Sequence, residues 1–355
     1  MPSVPEADLD HILAHTGDLW ETVRGQNLFV TGGTGFFGRW LVESFAFANA
    51  RLDLGAHMTI LTRDPAAFAG KAPALARNPR ISLVAGDIRT LRYQGVIRHI
   101  PSTHSGRFHH VIHAATDSVG QTDPIVTFNT IVNGTRAALD FAVATGATRF
   151  LFTSSGAVYG PQPSDLTHIP ETYPGAPDCS QAASAYGEGK RAAELLCACY
   201  HARHPSLQPV IARCFAFVGP FLPLDAHFAI GNFIRDALRG GPIQIAGDGS
   251  PYRSYLYAAD LAVWLWHLLF RGEPGIAYNV GSDADLDIEA LAKLVANHSQ
   301  PPREVIIAGV RTPGEAPARY VPDVTRITQR LGLPKGIGLD EAISRTLSFH
   351  QSLAD

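Results

Sequence analysis

The sequence predicts an α/β fold, a doubly wound parallel sheet with a smaller mixed α/β C-terminal domain. Three observations carry that expectation. Short, uniformly apolar runs alternate with longer helix-like stretches from residue 27 to about residue 215, and strands apolar on both faces belong to a parallel sheet covered on both sides. A glycine-rich turn follows the first of these runs and opens a helix. Beyond residue 216, prolines, glycines and shorter helices loosen the pattern.

In chain order, residues 6–22 read as an amphipathic helix with Ile12, Leu13, Leu19 and Trp20 on its apolar side. Residues 1–24 are thus expected to be a helical extension that braces the sheet. NLFVT (27–31) is the first strand, and a helix starts near Phe36. MTILT (58–62) leads into a helix from Pro65, a residue suited to a first helical turn. ISLVAGD (81–87), HHVIHAA (109–115) and TRFLFTSS (148–155) are the third to fifth strands, with a long helix from Asp123 to Thr145 between the last two. A helix over 184–203 leads to PVIARCF (209–215), the sixth. Residues 25–215 therefore form the sheet domain. Residues 216–355, with helices near 228–239, 256–271, 286–298 and 339–352, form the second, with exchange of segments between the two allowed. Residues 161–177 hold five prolines and make a long loop beside the fifth strand; ordered loops of that length are usually functional.

Composition narrows the classes. The 355 residues are 46% hydrophobic and 17% charged, enough apolar material for a large core and unlike a disordered chain. With 29 basic against 32 acidic residues the net charge is −3, so no basic excess exists to neutralise a nucleic-acid backbone. No apolar run approaches the ~18 residues of a membrane span, and the N-terminus has no signal-peptide pattern. A cytoplasmic protein with no membrane or nucleic-acid partner is expected. The four cysteines (Cys179, Cys197, Cys199, Cys214) fit neither a disulfide framework nor a zinc pattern. His99, His104, His109, His110 and His113 match no ligand spacing, so no metal is expected.

The turn TGGTGFFG spaces Gly32, Gly35 and Gly38 by three, with Thr34, Phe36 and Phe37 between them. After a strand and before a helix, this is the dinucleotide fingerprint: glycines let the backbone approach a pyrophosphate, which sits at the positive helix end. The second strand ends in Thr62 and Arg63. An acidic residue there would bind the ribose hydroxyls of NAD, whereas a neutral residue followed by arginine suits the extra phosphate of NADP. NAD(P)(H) is the expected cofactor and NADP(H) the favoured form, although Asp64 could take the acidic role by a two-residue shift. Asp87 and Ile88 end the third strand, where a carboxylate can accept from the adenine amino group. His113, Ala114 and Ala115 end the fourth, where small residues let the cofactor pass.

Ser155, Tyr186 and Lys190 complete the pattern. Tyr186 and Lys190 lie four apart on one helix face, and an ammonium beside a phenol lowers its pKa so that it serves as a base near neutrality. Ser155 ends the fifth strand, at the sheet edge where ligands bind, and can hydrogen-bond the same substrate oxygen.

Together these residues resemble the extended short-chain dehydrogenase/reductase family, in its NAD(P)-dependent nucleotide-sugar epimerase/dehydratase group. TGGTGFFG, SSGAVYG (Ser154–Gly160) and YGEGK (Tyr186–Lys190) match in order, and the resemblance runs over roughly residues 25–330. It implies a Rossmann-type cofactor domain, a nucleotide-sugar-binding second domain and a homodimer built on the helices around 123–145 and 184–203. The alanine-rich faces of those helices (Ala137, Ala138, Ala142; Ala192, Ala193) permit close packing, between copies or against the sheet. The resemblance also implies Thr153 beside the cofactor and Thr116, Ser154, Ser155 and Asn232 beside the substrate. Arg253 in GDGSPYRSYLY and Arg311 in RTPGEAP would hold the substrate diphosphate.

Departures narrow the reaction. The 4,6-dehydratases of this group place an acidic pair directly after the catalytic Ser/Thr, where this chain has Gly156 and Ala157. Elimination of water lacks its acid and base here. Ala216 also replaces a substrate-contacting asparagine of the group. What remains is hydride transfer at one carbon. A 4-ketoreductase on a nucleoside-diphosphate (deoxy)sugar is favoured, a 4-epimerase with tightly held NAD is the alternative, and a 4,6-dehydratase or a catalytically silent nucleotide-binding scaffold follows behind.

Overall fold

Seven parallel strands make the main sheet of the computed structural model, which describes residues 3–92, 96, 106–116, 123–226, 228–334 and 336–353. They are β1 (Asn27–Thr31), β2 (His57–Thr62), β3 (Ile81–Ala85), β4 (His110–His113), β5 (Arg149–Ser155), β6 (Gln208–Cys214) and, from far along the chain, β11 (Ala277–Val280). Their order is β3-β2-β1-β4-β5-β6-β11. The doubly wound sheet is as the sequence predicts, with strand ends within two residues of the expected bounds. β11 is the addition. It pairs with β6 from Ala277 opposite Ile211 to Val280 opposite Cys214, so the second half of the chain completes the sheet of the first, and only four residues long, it carries no readable pattern.

Helices cover both faces. Leu28, Val30 and Ile112 face α2 (Phe36–Arg51) and α8 (Ala258–Arg271), while Phe29, Val111 and Phe152 face α5 (Pro124–Thr145) and α6 (Ala185–Arg203). The short α3 (Pro65–Lys71) and α4 (Pro73–Ala76) lie between β2 and β3. The period-two alternation of strand side chains assigns each residue to one layer. Ala137, Ala138, Ala142 and Ala193 are buried within this chain, so the alanines serve the α5–α6 and sheet packing and not an outer face. The outer surface of these two helices shows Ile125, Phe128 and Leu195 instead.

α8 is apolar on nearly every side, and such a helix must be covered all round. The N-terminal segment supplies the cover. It folds as α1 (Glu6–Thr16) followed by a 3₁₀ stretch, Gly17–Val23, which places Trp20 against Trp266 at 4.7 Å between ring centroids. The brace expected from the sequence is therefore part of the core. Among the described residues, no helix is long and apolar enough to cross a membrane.

The second half adds small sheets: β7 (Phe217–Val218) with β10 (Leu256–Tyr257), β8 (Ile243–Ile245) with β13 (Val305–Ile307), and β9 (Tyr252–Ser254) between β12 (Asp285–Asp287) and β14 (Arg319–Tyr320). α7 (Ala229–Arg239), α9 (Ile288–Asn297), α10 (Thr325–Leu331) and α11 (Leu339–Gln351) surround them. The proline-rich loop after β5 ties the halves together. Ile169 N donates to Val321 O at 2.9 Å, Val321 N to Gln162 Oε1 at 2.9 Å, and Asn279 Nδ2 to Ile169 O at 2.8 Å.

The histidines of β4 have separate structural partners. His110 Nε2 pairs with Gln26 Oε1 at 2.7 Å, and His113 lies between Thr31 Oγ1 at 2.7 Å and Thr135 Oγ1 at 3.1 Å. His99 and His104 lie outside the described residues. Burial pushes the pKa of His110 and of His113 down to about 3. The unfolded chain, with histidine pKa near 6.5, takes up protons that the folded one refuses, so stability is full above pH 6.5 and falls as pH drops toward 3. Between pH 6.5 and 5 each ring should cost about 2 kcal/mol. Urea unfolding at a series of pH values checks this, and replacing His113 with Gln should flatten the acid slope.

Candidate active site

The strand order reverses between β1 and β4, and a crevice opens beyond their carboxyl ends, the usual ligand position in such sheets. Gly32 has φ 74°, and a Cβ on it would stand 2.5 Å from the Ala114 carbonyl carbon. A Cβ on Gly38 would stand 2.1 Å from Gly32 O. The first turn is thus pressed against the backbone after β4 on one side and against its own helix on the other. Gly35 precedes α2 without a side-chain cap, which leaves helix N–H groups for an anion.

A cleft of about 560 Å³ opens there. Gly32, Thr34 and Gly35 line it from the first turn, Thr62 and Arg63 from the end of β2, Asp87 and Ile88 from beyond β3, and Ala114, Ala115 and Thr116 from beyond β4. Lys71 and Arg89 also line it; the sequence reading missed both, because neither stands at a strand tip. Asp64 Oδ1 accepts from Ala67 N at 2.8 Å as the cap of α3, so this carboxylate has a structural partner. Asp87 is gripped by Arg89, whose Nη2 lies 2.6 Å from Oδ2, and that hydrogen bond holds its carboxyl below the usual range. A glycine cradle, an uncapped helix start and a cleft of this size fit a dinucleotide.

Several side chains expected beside the cofactor make packing contacts, while the peptide N–H groups of Phe36 and Phe37 belong to the uncapped start of α2. The Phe36 and Phe37 rings face each other, and Phe37 meets Phe217 edge-on at 5.0 Å. Gly38 is spent on the helix–turn approach. The His113 ring is turned into the core between its two threonines, so only the backbone after it borders the cleft. Thr153 is buried, its Oγ1 donating to His113 O at 3.3 Å.

The three catalytic candidates do come together. Ser155 ends β5, and its Oγ accepts from Ala157 N at 3.1 Å, starting the 3₁₀ turn Gly156–Tyr159. Tyr186 and Lys190 stand in the first turns of α6. Lys190 is buried, and its Nζ donates to Thr153 O at 2.7 Å, 5.8 Å from the centre of the Tyr186 ring. Burial brings the Lys190 pKa down to about 8. Burial also pushes the Tyr186 phenol up to about 12, against the nearby Ser155 hydroxyl, which lowers it. The expected lowering by the ammonium is thus reversed: the lysine proton goes to a carbonyl, desolvation wins, and Tyr186 is a phenol at neutral pH. A second phenol, Tyr320 from β14, stands beside the turn after β5: a Cβ on Gly156 would lie 2.7 Å from its hydroxyl. The sequence gives no sign of it.

The substrate candidates divide. Thr116 borders the cleft. Ser154 is buried and donates to Glu194 Oε1 at 2.5 Å. Asn232 accepts from Arg235 Nη1 at 3.0 Å. Arg253 lies beside Tyr320, its guanidinium 6.0 Å from the ring centre. Arg311 pairs with Glu289 at 3.2 Å and lines a separate cavity of about 320 Å³ with Asp248, Ser250 and Tyr252. The two arginines have different partners: Arg253 Nη1 donates to Tyr252 O at 2.7 Å, whereas Arg311 pairs with Glu289.

The model of the NAD dependent epimerase/dehydratase family matches residues 28–281. The chain belongs to that family. It is similar to UDP-glucuronic acid decarboxylase 1 of Arabidopsis thaliana, 30% identical over 325 residues, or 90% of this chain and 69% of the relative. It is 27% identical over 330 residues to a dTDP-glucose 4,6-dehydratase of an Actinoplanes strain, covering 92% of this chain and 98% of that one. Its fold is that of UDP-glucose 4-epimerase from Thermotoga maritima, with a TM-score of 0.76 and 23% identity over 93% of this chain and all of the other. The chain is thus a nucleotide-sugar-modifying member of an NAD-dependent enzyme family.

The role expected of Tyr186, moving a proton at a substrate oxygen, is open to a direct test. Tyr186→Phe removes that proton and leaves the glycine turn untouched. Turnover should fall at least a thousandfold while cofactor affinity stays within about twofold. Steady-state kinetics and cofactor titration check the pair of values, and near-normal turnover would remove Tyr186 from the mechanism.

Proposed function

We propose that the protein is an NADP(H)-dependent 4-ketoreductase of a nucleoside-diphosphate (deoxy)sugar. The observation that carries this is the adenosine end of the cleft, where Thr62, Arg63 and Lys71 stand together while Asp64 is occupied as a helix cap. Two cations at the ribose suit a 2′-phosphate, and an exchangeable NADPH suits net reduction. When bound, the nicotinamide supplies the hydride.

The residues do the rest. Tyr186, protonated at neutral pH, gives its proton to the C4 oxygen as that carbon is reduced. Ser155 hydrogen-bonds the same oxygen. Lys190, cationic below about pH 8, stabilises the resulting tyrosinate until solvent returns the proton. Neither Gly156 nor Ala157 offers an acid or base for the sugar ring, which favours chemistry confined to C4. Arg253 holds the diphosphate. The reading includes a homodimer in the cytoplasm, with Ile125, Phe128 and Leu195 on the shared face.

One observation favours a second reading. The similarity to a UDP-glucuronic acid decarboxylase spans nearly the whole chain, and a uronic acid oxidised at C4 is a β-keto acid that loses CO₂ without an acid or base at positions 156 and 157. That cycle, like 4-epimerisation, regenerates a retained NAD.

Nucleotide content and absorbance of the fresh protein separate the readings. Protein without bound dinucleotide that consumes NADPH with 4-keto-6-deoxy nucleotide sugars supports the reductase. Retained NAD with CO₂ release from UDP-glucuronate, or with epimer formation, overturns it. Arg63→Ala should weaken NADPH binding at least tenfold and NADH binding less than twofold; equal weakening in fluorescence titrations would remove the cofactor preference.

A further inference from the structure

We propose that the buried ion pair Arg39–Glu43 on α2 positions Lys71 at the adenosine end of the cleft. This rests on the reading above, in which Lys71 and Arg63 meet the 2′-phosphate of NADP(H). α3 carries Lys71 as its last residue. Asp64, Ala67, Phe68 and Lys71 all line the cleft, and spacings of three and four place them on one helix face. A helix of 7 residues does not hold itself in water, where about 12–15 are needed. Its anchors therefore decide where Lys71 stands. Asp64 caps its start, and Phe68 is buried in the core. At the far end Arg39 Nη1 donates to Lys71 O at 3.4 Å. That carbonyl is one of those a helix leaves without an internal partner, and a cation suits the negative end of the helix dipole.

Arg39 also belongs to the glycine turn, since its N–H donates to Gly35 O at 2.8 Å. Its guanidinium is held from several sides. Nε closes on Glu43 Oε1, and Cζ lies 4.8 Å from the centre of the Phe221 ring. Glu43 in turn accepts from Val4 N at 3.0 Å. Arg39 is 8% and Glu43 5% exposed. Burial raises the Glu43 carboxyl, and Arg39 and the Val4 N–H pull it back. In so dry a setting each hydrogen bond is strong and directional, so the guanidinium has one edge fixed by Glu43 and offers another to Lys71 O. The pair thus gauges the distance from the turn that receives the pyrophosphate to the cation that receives the 2′-phosphate.

Adenosine fragments read this without any assumption about the sugar. In calorimetric titrations, the native protein should bind 2′,5′-ADP at least tenfold more tightly than ADP, and Lys71→Ala should cut that preference about fivefold. Glu43→Gln keeps the Arg39 charge but frees its direction. The preference should then fall about threefold, with ADP affinity within about twofold. A simple field effect has the opposite sign, because loss of a carboxylate draws an anion in more strongly. Breaking a buried pair can unfold a protein, whereas replacing both partners with apolar residues of similar volume is tolerated. Arg39→Met combined with Glu43→Leu is therefore the second variant, and it should show the same loss. In a Lys71→Ala background neither change should cost more than about 1.5-fold, because the pair acts through Lys71. An unchanged preference in the folded variants, or an undiminished loss without Lys71, overturns the proposal and leaves the cofactor reading standing. A native protein that binds 2′,5′-ADP and ADP equally overturns the NADP(H) reading, and the proposal with it.

Discussion

The ion pair between Arg213 and Glu194 holds the corner where Ser155, Tyr186 and Lys190 meet. Arg213 Nη2 and Nε lie 2.7 and 3.0 Å from the two carboxylate oxygens, both side chains are largely buried, and Glu194 stands one helical turn beyond Lys190. Glu194 accepts from Ser154, the residue before Ser155. Arg213 Nη1 donates to the Tyr159 hydroxyl at 2.9 Å, which donates to Asn279 Oδ1 at 2.7 Å. One pair thus joins β5, β6, α6 and β11. Removing one partner of such a pair strands the other charge, at a cost of about 3–5 kcal/mol. The spacing of Ser155, Tyr186 and Lys190 depends on it.

The fold, and the gathering of Ser155, Tyr186 and Lys190 at one place, were legible because each is written locally. Short, uniformly apolar runs, a glycine turn between a strand and a helix, and a tyrosine four residues before a lysine all need only a few neighbouring residues. What was not legible depends on partners distant in sequence. The His113 ring turns inward because Thr31 and Thr135 receive it, Ser154 turns away because Glu194 does, and Arg311 meets Glu289. Tyr320 reaches Gly156 only because the loop holding Gln162 and Ile169 pins the strand beside it. The reversed Tyr186 pKa has the same origin: spacing places lysine near the phenol, but burial and the Thr153 carbonyl decide which protons move.

A second polar cluster joins the N-terminal helix to both halves. Asp8 is almost wholly buried and accepts from the Tyr257 hydroxyl at 2.7 Å and from Arg345 Nη1 at 2.5 Å. His11 lies 2.9 Å from Asp260, which also accepts from Ile337 N at 2.7 Å. Val4 N donates to Glu43 Oε2 on α2 at 3.0 Å, and Arg39 closes on the same Glu43 carboxylate. The helix that starts at the glycine turn is therefore steadied by a segment outside the matched family region. A short polar sequence reads as a surface extension; here its acids and histidine are the partners of buried groups.

The position of β11 has a consequence for the life of the chain on the ribosome. β6 is an inner strand of the finished sheet, but its outer partner is made more than sixty residues later. Until Val280 emerges, the nascent sheet ends in an open row of peptide groups on an apolar strand, the kind of edge that recruits other chains. The two halves therefore mature as one cooperative unit, and a fragment ending near residue 215 would expose a template for aggregation.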